Sequence, residues 1–92
     1  MKKQKEDKLK QLRERINLID EKIIELLKER LRIADKIIKF KIKKGLNLTD
    51  KKREKEIIES LVRKVKNPIL KKYLPQIYKI IFKISKEKYK KK

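Results

Sequence analysis

Apolar residues recur through the first half of the chain at Leu9, Leu12, Ile16, Ile19, Ile23, Leu26, Ile33 and Ile37. The steps are 3, 4, 3, 4, 3, 7 and 4, which trace one stripe of an α-helix and not the alternation of a strand. The mild preference of Ile for strands is too weak to override that period. The spacing predicts a helix over about residues 6–44, closed by Gly45 after a Lys-rich last turn that suits the helix dipole. A second helix is predicted over about 50–66. It opens on Thr49 or Asp50 as N-cap, carries Ile57, Ile58, Leu61, Val62 and Val65, and stops before Asn67-Pro68. A third is predicted over about 74–90, with Pro75 in its first turn and Ile77, Ile80, Ile81 and Ile84 along it. Residues 68–73 read as ambiguous, a short turn of helix at most, and the Lys-rich tail from Lys86 is expected to fray. There is no internal repeat. The expectation is a single all-α domain over residues 1–92.

The first helix is too long for such a domain. Thirty-nine residues span about 58 Å at 1.5 Å each. A compact chain of this size is only about 32 Å across. A long apolar stripe that overshoots its own core calls for a second chain to cover it.

Composition narrows the chemistry. Thirty-two Lys and Arg stand against thirteen Asp and Glu, for a formal charge of +19. The 38% hydrophobic share is still enough for a core, which argues against disorder. With neither Cys nor His, disulfides, a thiol nucleophile, Cys- or His-based metal sites and Ser-His catalysis are all set aside. One Gly rules out a glycine-rich phosphate loop. The opening MKKQKEDK lacks the apolar stretch of a signal peptide, and no apolar run approaches a membrane span. A soluble, cytoplasmic protein is expected, with no membrane, metal or cofactor.

Several charges interrupt the apolar pattern. Arg13, Ile16, Asp20, Ile23, Leu27, Arg30, Ala34, Ile37 and Lys41 follow one another in alternating steps of 3 and 4. Arg30 fills the gap between Leu26 and Ile33, where a core residue was due. Such side chains can snorkel to the edge of a stripe. Three cations on one face with only Asp20 to balance them fit that reading less well, because buried charges need partners. Only six of the basic residues are Arg, and Arg is the better grip on a planar carboxylate. Asp50, Arg53 and Glu54 sit at the start of the second helix, where charges are ordinary. Ser85 and Tyr89 are four apart and share a face with Ile81.

The order KLKQLRERINLIDEKIIELLKER, then KFK, the Gly turn, TDKKRE and IYKIIFKIS resembles the all-α (AroQ-type) chorismate mutase family over about Leu9 to Tyr89. The resemblance implies an intertwined homodimer of three-helix chains with shared active sites. It implies isomerisation of chorismate to prephenate, the branch step toward Phe and Tyr, without cofactor or metal. On this resemblance Arg30 binds one substrate carboxylate and Arg13 of the other chain binds the second. Lys41 faces the ether oxygen and a nearby carboxylate. Glu54 and the backbone near Asp50 hold the substrate hydroxyl, Arg53 orients that group, and Ser85 assists at a carboxylate. Tyr89 departs from the pattern: the family usually has Gln or Glu there, donating to the ether oxygen, and a phenol donates with a different reach.

The competing readings are a basic helical nucleic-acid-binding protein and a dimeric interaction module without catalytic activity. A +19 chain attracts polyanions whatever else it does. Its lysines are nevertheless spread over all three predicted helices, with no Arg-rich recognition helix and no aromatic platform. Nucleic acid is therefore expected to bind only non-specifically. A pure dimerisation stripe leaves Arg30 and Lys41 unexplained.

Overall fold

The computed structural model describes the backbone of residues 2–90 and the side chains of 4–90. It is all-α: α1 spans Lys2–Lys43, α2 Lys51–Arg63 and α3 Pro68–Lys86, followed by a 3-10 turn over Glu87–Tyr89. No strand occurs among the described residues. The long N-terminal helix predicted from the apolar period is there, and its end is built as the glycine suggested. Gly45 adopts φ 69°, donates its N–H to the Ile42 carbonyl (3.1 Å), and lets Leu46 donate to Lys41 (2.8 Å). This pair of bonds closes the helix with a Schellman motif.

α2 starts as expected. Asp50 is its N-cap and accepts the Arg53 amide at 3.0 Å. It ends at Arg63, short of the expected 66. α3 departs further from expectation. It begins at Pro68 rather than near 74, because Asn67 caps it by accepting the Leu70 amide (2.9 Å) and Pro68 fits the first turn. Asn67-Pro68 thus both ends one helix and starts the next. Pro75 lies inside α3, not in its first turn. Of the Lys-rich tail expected to fray, Lys86 is the last residue of α3 and Glu87–Tyr89 forms the 3-10 turn, while Lys91 and Lys92 lie outside the described residues.

The chain divides into two compact units, Met1–Ile33 and Ala34–Lys92. The first is a stretch of α1 alone. From Gln4 to Ile33 no residue is buried, and only Leu27 and Arg30 are half-buried. Its apolar stripe lies open, with exposures from 43% at Ile33 to 64% at Leu26.

The second unit has a small core of its own. Ile38 from α1 and Phe82 from α3 are its two buried residues, and the Tyr78 ring meets Phe82 edge-on at 5.9 Å. Ile57, Ile58, Leu61 and Val62 of α2 and Leu74 and Ile81 of α3 are half-buried. The covered face of α1 in this unit runs through Ala34, Ile38 and Lys41. Ile37, which the sequence pattern placed on the covered stripe, is 51% exposed, one residue off that face.

Candidate active site

Two helix ends create a polar corner in the Ala34–Lys92 unit. Glu54 stands in the first turn of α2 and Lys86 in the last turn of α3, so each charge opposes the dipole of its own helix. Their side chains meet at 2.8 Å, Lys86 Nζ to Glu54 Oε2, and each is only about a quarter exposed (26% and 28%). Lys86 also donates to Thr49 Oγ1 at 3.2 Å. One ammonium therefore ties together the loop before α2, the start of α2 and the end of α3. These residues border an open groove of about 370 Å³ whose lining includes Leu48, Phe82 and Tyr89.

A second cluster fixes the end of the chain to α1. Tyr89 donates its hydroxyl to Asp35 Oδ1, Lys88 approaches the same oxygen at 2.9 Å, and Lys39 approaches Oδ2 at 3.0 Å. The Tyr89 hydrogen bond, then those of Lys88 and Lys39, hold the Asp35 carboxyl well below its ordinary 3.8. The same bond to Asp35 raises the Tyr89 phenol and, through its own contact with that carboxylate, the Lys88 ammonium. The phenol is a neutral donor whose one proton is committed to Asp35.

Lys41 is half-buried and borders a separate hollow with Leu46, Asn47, Thr49, Asp50 and Lys51. Thr49 lines both depressions. Ser85 is half-buried and donates its hydroxyl to the Ile81 carbonyl at 2.9 Å, the back-bond expected of a serine inside a helix.

Of the residues singled out in the sequence, the groove brings together Glu54 and Tyr89, and the neighbouring hollow brings together Lys41 and Asp50. The Arg53 side chain is exposed, and its backbone serves the Asp50 cap. Arg13, exposed, and Arg30, half-buried, belong to the Met1–Ile33 unit. Sequence reasoning missed Asp35 and Lys86. Asp35 sits one residue off the stripe, and its only local signal is Lys39 four residues on. Lys86 is one lysine among many at the end of the chain, with nothing in its residue type to separate it from Lys83 or Lys88.

Residues 12–90 match the family model described as chorismate mutase type II. The chain belongs to that family. No match was found among curated proteins or among solved structures. The matched range takes in every residue named above as a chorismate mutase site position, from Arg13 to Tyr89. No helix among the described residues is long and apolar enough to cross a membrane.

The Ala34–Lys92 unit offers a set of cations and acceptors held by hydrogen bonds, with Lys86 on Glu54 and Thr49 and with Lys88, Lys39 and Tyr89 on Asp35. Such an arrangement can hold and polarise an anion.

Proposed function

We propose that the protein is a chorismate mutase that converts chorismate to prephenate, at the branch toward Phe and Tyr, and works as a homodimer with two shared sites. The family match over residues 12–90 carries this reading. The reaction is a pericyclic shift within one molecule. One C–O bond breaks and one C–C bond forms, and no proton has to leave. A site without Cys or His suits it. The protein has to select the compact, diaxial form of a flexible dianion and to stabilise the charge that grows on the ether oxygen.

Arg30 of one chain and Arg13 of the other clamp the two carboxylates, which restricts the conformer. Lys41 stabilises the ether oxygen, a fixed cation in place before the charge develops. Glu54 accepts the substrate hydroxyl with the backbone near Asp50, Arg53 orients that group, and Ser85 assists at a carboxylate. An acceleration of about a million-fold needs roughly 8 kcal/mol off the barrier, which two or three preorganised charged contacts can supply. Tyr89 is placed less well as a donor to the ether oxygen, since its proton serves Asp35. Most of the stabilisation at that oxygen then falls to Lys41.

Two features support the dimer. Arg13 and Arg30 are seventeen residues apart on one helix, about 25 Å along its axis, so one chain cannot close both on one small dianion. The open stripe of α1 also gives a second copy something to cover. The test is loss of chorismate absorbance on adding purified protein, with and without competing nucleic acid. Turnover that persists in the presence of nucleic acid is the expected result. Absence of turnover by the dimeric protein would remove the enzyme reading and favour a basic interaction module.

A further inference from the structure

We propose that Lys86 is a positioning residue for the substrate hydroxyl, holding Glu54 and the loop before α2 in the arrangement that receives it; this rests on the chorismate mutase reading above. Three observations carry it. Lys86 is the lysine of α3 whose ammonium reaches across to α2, meeting Glu54 Oε2 at 2.8 Å. The same ammonium donates to Thr49, the neighbour of the cap residue Asp50. Both side chains of the pair are mostly covered, and both line the groove.

Glu54 presents a problem that Lys86 solves. The proposed substrate is a dianion, and a bare carboxylate at its binding site would repel it. A lysine on one carboxylate oxygen offsets that charge and leaves the second oxygen of the carboxylate, Oε1, to accept a hydroxyl. It also fixes a side chain that would otherwise sample several rotamers. A single ion pair still in part open to solvent adds little to folding stability, so its effect is expected in substrate binding and not in melting temperature. Lys86 acts through Glu54 and does not itself contact the reacting atoms.

The experiment is a double-mutant cycle on the full chain with chorismate as substrate: Lys86→Met, Lys86→Arg and Glu54→Gln singly, and Lys86→Met with Glu54→Gln. Lys86→Met is expected to lower kcat/KM about tenfold, the effect of losing one charge-assisted hydrogen bond. The loss is carried mainly by KM, because the hydroxyl is held in both ground and transition states. Lys86→Arg should restore most of it. In the Glu54→Gln background, Lys86→Met should cost less than about twofold, since coupled residues are not additive. An equal loss in both backgrounds, or no loss in the unsubstituted one, overturns the positioning role while leaving the enzyme reading intact. No turnover by the unsubstituted protein overturns both. Unchanged helical content and melting temperature in Lys86→Met separate a loss at the site from a loss of fold.

Discussion

Met1–Ile33 and Ala34–Lys92 are both written in lysine and isoleucine on helices, yet they differ in what covers their apolar side chains. In the second unit Ile38 of α1 and Phe82 of α3 are buried, and apolar residues of α2 and α3 are half-buried. In the first, seven stripe residues from Leu9 to Ile33 are 43–64% exposed. Fully burying such a side chain is worth about 1.5–3 kcal/mol, so covering the exposed half of each contributes roughly 1 kcal/mol. A stripe of that length is a large association energy left unused by a single chain. The same split holds for polar groups. The second unit carries Lys41, Asp50, Arg53, Glu54, Ser85 and Tyr89, and the first carries the two arginines assigned to the carboxylates. The proposed function therefore takes Arg13 from a second chain.

The largest effect is expected from breaking the open stripe. Two first helices packed antiparallel, so that Arg13 of one reaches the site of the other, place the two-fold near about residue 24. Ile23→Asp then brings two carboxylates together across the axis, in a seam that should be apolar. Sedimentation should show a monomer at micromolar concentration, and activity should fall by more than about a hundredfold, since obligate dimers lose both together. A variant that stays dimeric and active would mean that the stripe is covered in some other way.

A middling effect, confined to the second unit, is expected from the Asp35 cluster. Asp35 has a lowered folded-state pKa, so its stabilising contribution is present above its unfolded value of about 4 and is lost as pH falls through the lower folded one. Tyr89 and Lys88 are raised, so theirs is present below their unfolded values near 10 and is lost as pH rises through the higher folded ones. Amide exchange of the 3-10 turn should therefore be slowest between about pH 5 and 9, relative to intrinsic rates, and should rise on either side. Asp35→Asn removes the anion that Lys39, Lys88 and Tyr89 share and should flatten the profile. An unchanged profile would mean that the tail is held by something else.

The smallest effect is expected at Tyr89. Tyr89→Gln restores the amide donor common in the family and releases Asp35 from the phenol. KM should change little and kcat should rise a few-fold, on the order of 1 kcal/mol at the transition state. A fall in kcat would make Tyr89, or Lys88 beside it, the working donor.

The period of the apolar residues made α1 legible, because steps of 3, 4 and 7 from Leu9 to Ile37 have only one regular structure behind them. Gly45 made its end legible, and Thr49-Asp50 the next beginning to within one residue, since capping depends on local geometry alone. The start of α3 was harder. Asn67-Pro68 works equally as a stop and as a cap with its first-turn proline, and Pro75 draws attention to the wrong place. Of the residues assigned to the proposed site, Arg30, Lys41 and Glu54 stand out in the sequence by interrupting a pattern or by family spacing. Lys86 and Asp35 do neither. Their partners lie 32 and 54 residues away, and only the fold of the second unit brings them together.

The central claim, one site built from two chains, is tested most directly by complementation. Arg13→Ala and Arg30→Ala homodimers should each be inactive. Each mixed dimer has one site with both lesions and one site with neither. Random one-to-one co-refolding makes half the dimers mixed, so activity should return to about a quarter of the unsubstituted protein. A mixture shown to contain heterodimers that stays as inactive as its parents would contradict the shared site and would assign Arg13 to stability.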